Sequence, residues 1–209
     1  MRKNRMTIIT GAIIALALAT SAAYIGCGGD SSSSSGSSAT ATTPITQTIW
    51  ANGAFGAWND DIATGAIAIS YAGNETSQAI SDTDNVSGNA TSLQLNTNGI
   101  DSAGTDTFYI DINNFKDVSA FNGGHLQFNA KLANPSIVSN IALGSPFSPS
   151  VNVAPASLNT STFTHLSITL PSDMNGTIKR LVTIGVTYTS GSTSVQPLII
   201  LNDVKWTTD

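Results

Sequence analysis

The 209-residue sequence predicts an all-β fold, a two-sheet β-sandwich or jelly roll, behind an export leader and a disordered linker rich in Ser, Thr and Gly. Short segments that alternate apolar and polar residues predict the strands, and Asn-Gly pairs that accept the positive φ of tight turns separate several of them. No segment shows the apolar period of an amphipathic helix. The pairs are Asn52-Gly53, Asn98-Gly99, Asn122-Gly123 and Asn175-Gly176.

Residues 1–26 have the features of a lipoprotein signal peptide. A basic start (Met1–Arg5) precedes an apolar run (Ile8–Ala19) that is shorter than a membrane-spanning helix needs. Ile25-Gly26-Cys27 resembles the bacterial lipobox, in which the Cys becomes diacylglyceryl-modified. Lipidation would use the only thiol of the chain. The sequence therefore predicts a lipid anchor at Cys27, with a free thiol in a secreted protein as the alternative.

An anchored, exported chain is expected in the cell envelope. Gly28 stands where the enteric retention signal of the inner membrane has Asp, which favours the outer membrane or the cell surface. Removal of residues 1–26 would leave all 13 acidic residues with five basic ones, a net charge of −8. A chain with this excess of acidic residues lacks the basic patch that nucleic-acid binding requires. We therefore expect no nucleic-acid partner.

The segment 27–46 is predicted to be the lipidated Cys and a flexible linker. Ser, Thr, Gly and Ala dominate it, so it has almost no apolar surface to bury and should behave as a flexible coil. A coil of about 19 residues has a root-mean-square reach of about 25 Å. The linker would hold a domain away from the membrane.

Residues 47–209 are predicted to form one β-sandwich domain with a single core. The continuous apolar run Leu198–Leu201 is typical of a central strand that is covered on both faces. The nine predicted strands are Gln47–Ala51, Ala66–Tyr71, Ser92–Asn96, Thr107–Ile112, His125–Leu132, Ile137–Leu143, Thr164–Leu170, Leu181–Tyr188 and Gln196–Trp206.

One stretch of the domain carries a family resemblance. Residues 115–131 contain Asp117-Val118-Ser119 and then Gly124-x-Leu126-x-Phe128-x-x-Lys131, which resembles the Asp-Leu-Ser turn and the following strand of galactose-binding-like jelly rolls. The segments 54–60, 163–171 and 199–206 resemble other parts of that pattern. The sequence is most similar to the non-catalytic carbohydrate-binding-like modules of bacterial exo-β-glucanases, the ExoP type. This resemblance implies a galactose-binding-like jelly roll with a carbohydrate ligand.

Candidate ligand-binding residues follow from the chemistry of sugars. Sugar recognition needs aromatic faces for the C–H surface of a pyranose and planar hydrogen-bonding groups for its hydroxyls. Alternation turns four such residues away from the core, and we expect them to share one face: Tyr109, His125, Gln127 and Asn129. Trp58, in a Gly- and Asn-rich segment, is a candidate stacking platform. The alternatives are a solvated polar face and a core position for Trp58.

The resemblance also implies a structural calcium ion near the join of the first and last strands. Asp60, Asp61 and Asp203, together with Asn202, carry the hard oxygen atoms that calcium prefers. Capping of turns by these Asp and Asn side chains is the alternative.

We do not expect catalysis. A glycosidase needs two positioned carboxyl groups, but any Asp-rich sequence offers pairs such as Asp60–Asp61. There is no Gly-x-Ser-x-Gly motif, and His125 and His165 do not form a zinc motif. The sequence thus predicts a membrane-anchored, non-catalytic polysaccharide-binding module. A structural, adhesin-type protein with a protein partner is the alternative, and a glycoside hydrolase is the third hypothesis.

Overall fold

The computed structural model describes residues 43–72, 76–81, 91–97, 103–174, 176–189 and 196–208. The predicted signal peptide, Cys27 and most of the predicted linker lie outside these residues. Within them, no helix is long and apolar enough to cross a membrane. The strands are β1 (Thr46–Ala51), β2 (Ala54–Phe55), β3 (Ile67–Ala72), β4 (Thr76–Ser81), β5 (Ser92–Thr97), β6 (Gly104–Asp117), β7 (His125–Leu132), β8 (Val138–Gly144), β9 (Val151–Val153), β10 (Thr164–Thr169), β11 (Thr177–Tyr188) and β12 (Gln196–Thr207).

The strands form two antiparallel sheets packed as a β-sandwich, which confirms the predicted fold class. The seven-stranded sheet has the order β10-β7-β12-β1-β2, and β5 also pairs with β12 and with β4. The five-stranded sheet has the order β3-β6-β11-β8-β9. One apolar cluster between the sheets takes side chains from both, among them Phe108 and Trp206, each 0% exposed. The sandwich therefore has two outer faces, one on each sheet.

Strand β12 is the central strand of its sheet, as its continuous apolar run predicts. One side pairs with β7 along most of its length, and the other side pairs first with β5 and then with β1. All four residues of Leu198–Leu201 are buried. A bulge at Asp203, where φ is +50°, separates the two halves of the strand.

Two of the predicted Asn-Gly turns are present where the chain is described. Asn52 and Gly53, with φ of +51° and +83°, form the two-residue loop between β1 and β2. Gly123, with φ of +70°, follows Asn122 in the turn before β7, and the N–H of Gly124 closes this turn on the carbonyl of Phe121 at 3.0 Å. The other two pairs fall wholly or partly outside the described residues.

All nine predicted strands overlap strands of the structure, and His125–Leu132 has the predicted bounds. The alternation of their core faces is also confirmed, because Leu126, Phe128, Phe108 and Ile110 are buried. Strands β2, β4 and β9, which have between two and six residues, are not predicted by the sequence pattern. The predicted end of β6 at Ile112 lies five residues before the strand ends.

Candidate functional site

The outer face of the five-stranded sheet consists mainly of small and polar side chains. Tyr109 of β6 lies in register with Ser70 of β3 and Thr183 of β11, and Thr183 lies in register with Gly144 of β8. In the next row, Thr107, Gly185 and Ala142 are in register. Tyr109 is partly exposed, and its neighbours across the sheet are all small.

Arg180 organises one end of this face. Its Nε donates to Oδ1 of Asp111 at 2.9 Å and its Nη2 donates to Oδ2 at 3.2 Å, a fork that holds both oxygens of the carboxylate. The guanidinium carbon lies 3.8 Å from the centroid of the Tyr109 ring. The hydrogen bond to Asp111 is the main cause that raises the pKa of Arg180. The arrangement fixes a guanidinium, a carboxylate and a phenol beside one another.

A bulge in β6 brings an aromatic ring to the same end of the sheet. Arg180 pairs with Asp111, and Ile178 pairs with Lys116, so Lys179 alone faces residues 112–115 of β6. The extra residues of β6 bend the strand and redirect its side chains, as bulges do. Phe115, the last of them, is 68% exposed. So exposed an aromatic ring is available to a ligand.

These residues enclose an open pocket of about 460 Å³, which we call the Arg180 pocket. An aromatic ring, a guanidinium and an ammonium can together contact the C–H surface and the oxygens of a sugar. The donors of Arg180 that do not bond to Asp111 are available for such contacts. The pocket is lined by Asp111, Phe115, Ser145, Thr177, Ile178, Lys179 and Arg180.

The predicted ligand residues do not share one face. Tyr109 lies on the five-stranded sheet, beside the Arg180 pocket. His125, Gln127 and Asn129 project from β7 on the outer face of the seven-stranded sheet, on the opposite side of the sandwich. There Asn129 is 3.3 Å from the ring of His165, and Gln127 lies in register with Ser167. Alternation correctly predicted that all four residues point away from the core. The prediction that they share one face is wrong.

Trp58 is not a stacking platform, because it belongs to the core. Its side chain is 3% exposed. Its ring makes edge-to-face contacts with Phe121 at 5.4 Å and with Trp206 at 5.7 Å between centroids. A short 3₁₀ turn (Trp58–Asp60) carries the ring inward, which leaves neither of its faces to a ligand.

The three carboxylates proposed for calcium do not come together. Asp61 bonds to Thr64 and Lys116, and Asp203 bonds to Lys205 at 3.3 Å. Asp60 lines a separate polar pocket of about 400 Å³ beside Gln47 and Asn59. In the described part of the chain, no three His, Cys, Asp or Glu side chains gather as a metal site. Asp60, Asp61 and Asp203 therefore do not fit one calcium site, and a structural calcium ion stays a prediction.

Phe115, Lys179 and Arg180 are not among the ligand-binding residues that the sequence predicts. One signal was visible, because Lys179-Arg180 is the only pair of adjacent basic residues after the leader. A second was that Asp111 follows Tyr109 by two positions and so points to the same side of its strand. The pairing of β6 with β11 brings Arg180 next to Asp111, and this pairing between distant strands cannot be read from either local signal.

No protein-family model and no curated protein matches this sequence. Among solved structures, a carbohydrate-binding module of the β-sandwich superfamily is similar at 13% identity and a TM-score of 0.48, over 67% of this chain and 56% of that chain.

Two further modules are similar over most of their own length. CBM27-1 of Caldicellulosiruptor saccharolyticus, solved with mannohexaose, has 11% identity and a TM-score of 0.48 over 79% of this chain and 97% of that chain. The family 30 module of a Clostridium thermocellum cellulosomal cellulase has 16% identity and a TM-score of 0.40 over 78% and 96%.

Proposed function

We propose that this chain is an exported lipoprotein, anchored at Cys27, whose β-sandwich binds a polysaccharide. The observation that carries the glycan proposal is the Arg180 pocket. It combines the exposed ring of Phe115 with the guanidinium of Arg180, which Asp111 and Tyr109 hold in place. A pyranose presents an apolar C–H face and a rim of hydroxyl groups, and these two kinds of group match the two parts of the pocket.

The rest of the face supports a polymer rather than a single sugar. Beyond Tyr109, the outward positions of β11 and β8 include Thr183, Gly185, Ala142 and Gly144. Such small side chains leave the surface of the sheet low, so an extended chain can lie along it and contact its hydroxyl groups. Binding of several sugar units would add to the contacts in the pocket.

The carboxylate of the pocket supports binding without catalysis. Hydrolysis by paired carboxyl groups needs an acid and a base or nucleophile on either side of the scissile bond. Among the residues that the structure describes, Asp111 is the only carboxylate that lines the Arg180 pocket, and both of its oxygens accept hydrogen bonds from Arg180. We therefore propose a non-catalytic module.

The test uses the full chain in detergent, run through native gels that contain β-glucans, galactans, xylans or alginate, with calcium or with EDTA. We expect at least one polymer to retard the protein. Phe115→Ala should weaken binding about fivefold, because a stacked aromatic contact contributes about 1 kcal/mol. Loss of retardation in EDTA would support the calcium prediction.

The matched control is Ile62→Ala, which removes an 81% exposed apolar side chain that does not line the Arg180 pocket. It should bind as the wild type does. Gln127→Ala tests the outer face of the seven-stranded sheet and should also have no effect. If no polymer retards the wild type, the glycan proposal fails. If Gln127→Ala weakens binding and Phe115→Ala does not, the site lies on the other face.

A further inference from the structure

Lys179 differs from the other basic residues of the domain. Each of the others is engaged, whereas Lys179 has no carboxylate within ion-pair distance among the residues that the structure describes. Its ammonium group is thus an uncompensated charge on the surface. The other four are Lys116 with Asp61 at 3.2 Å, Arg180 with Asp111 at 2.9 Å, Lys205 with Asp203 at 3.3 Å, and Lys131 at 5.8 Å from the ring centroid of Phe163.

This charge lies in the Arg180 pocket. Two cations and one carboxylate line the pocket, Lys179 and Arg180 against Asp111, so the lining is net positive in a chain of net charge −5. Asp117, which belongs to the neighbouring end of β6, does not neutralise it by direct contact. Its carboxylate accepts the backbone N–H of Ser119 at 2.9 Å.

We propose that the Arg180 pocket binds an acidic sugar, a uronic acid unit of a polysaccharide, whose carboxylate contacts Lys179. The inference rests on the proposed function and narrows its substrate class. Phe115 packs against the C–H face of the sugar, while the ammonium of Lys179 and the remaining N–H donors of Arg180 receive the carboxylate. A neutral sugar would leave the charge of Lys179 unused.

The acidity of the remaining surface sharpens this selectivity. A polyanion is repelled by a protein with an excess of carboxylates, and at physiological salt this repulsion is screened beyond about 8 Å. Only a local positive site overcomes it at close range. We therefore expect acidic polymers to bind at this pocket and not elsewhere on the domain.

The experiment compares two ligands with the same sugar backbone, polygalacturonate and fully methyl-esterified polygalacturonate, in which the ester removes the charge of each carboxyl group. Affinities are measured with the full chain in detergent at low and at high salt. We expect the wild type to bind the acid form about threefold to fivefold more tightly than the ester, the range of an exposed ion pair. Lys179→Gln should bring the ratio of the two affinities close to one, and high salt should have the same effect.

Lys205→Gln is the matched control, because it removes a charge of the same type from the seven-stranded sheet. It should keep the preference of the wild type. Equal affinity of the wild type for both polymers, or a preference that survives Lys179→Gln, overturns the inference while the proposed function stands. Failure of every polymer in the native gels, acidic and neutral, overturns the proposed function and the inference with it.

Discussion

Arg180 makes two contacts that no other basic side chain could make together. Its planar fork matches the carboxylate of Asp111, its flat face lies on Tyr109, and the residue also lines the Arg180 pocket. A lysine offers a point charge on a flexible stem and cannot reproduce a bidentate, stacked arrangement. The position of Tyr109 and the geometry of the pocket therefore depend on the same residue.

The ionisation of Asp61 should affect stability. Hydrogen bonds from Thr64, and then from Lys116, lower its pKa from 3.8 to about 2. A carboxylate whose pKa is lower in the folded state stabilises the fold above about pH 4, and this contribution is lost as the pH falls through about 2. Asp61→Asn should lower the thermal unfolding midpoint at neutral pH, and the difference from the wild type should shrink between about pH 4 and pH 2.

Asp173→Asn is the control for this prediction, because Asp173 is exposed and has no hydrogen bond or ion pair in the described part of the chain. Its midpoint should follow that of the wild type at every pH. A constant difference between Asp61→Asn and the wild type down to pH 2 would mean that the altered hydrogen bonds, and not the charge, are responsible.

Single residues show what alternation can and cannot predict. It correctly turned Tyr109 and Asp111 away from the core, because every second side chain of a strand points the same way. It could not place Trp58, which lies in a 3₁₀ turn where a period of two has no meaning. Gly and Asn neighbours suggested exposure there, but edge-to-face contacts with Phe121 and Trp206 stabilise the buried ring.

At the scale of elements, the bulge of β6 explains why the pocket could not be predicted. The apolar alternation stops at Ile112 and is followed by Asn113 and Asn114, a pattern that resembles the end of a strand. The strand continues because β11 pairs with it again beyond the bulge. Pairing with a distant strand, and not the local sequence, determines where Phe115 points. The missed strands β2 and β9 are too short to show any period.

The hairpin between β1 and β2 gives a second prediction. Gly53 and Gly123 both have positive φ, and only Gly53 has a neighbour where a Cβ would lie, the hydroxyl of Thr91. Gly123→Ala should cost about 1 kcal/mol from backbone strain alone. Gly53→Ala should cost clearly more, because the methyl group also displaces Thr91. Urea unfolding midpoints measure both, and equal costs would show that the contact with Thr91 is unimportant.

At the scale of the whole molecule, the fold class was predictable from the sequence. Which of the outward-facing residues lie on the same face of the sandwich was not. Alternation distinguishes inward from outward positions, and both sheets of a sandwich have the same pattern. It therefore could not tell that Tyr109 belongs to one sheet and His125, Gln127 and Asn129 to the other. Strand order decides this, and strand order depends on pairings between segments as distant as β1 and β12.

The proposed lipid anchor at Cys27 gives a prediction for the full-length chain. Radiolabelled palmitate should enter the protein when it is expressed in bacteria, and Cys27→Ser should abolish the labelling because Cys27 is the only thiol. Cell fractionation should find the label in the envelope. An unlabelled wild type, or label that persists in Cys27→Ser, would contradict the proposed lipoprotein.

The central position of β12 has a consequence for how the chain acquires its structure. The strand that joins β7, β5 and β1 into one sheet comes after all three of them in the chain. During synthesis or export, β1, β5 and β7 therefore emerge before β12, the strand with which each of them pairs. Until β12 is present, their apolar side chains and strand edges are exposed to solvent. Topologies with such distant pairings fold slowly and are open to aggregation while incomplete. A chaperone that shields emerging strands would act on this protein until residues 196–207 arrive.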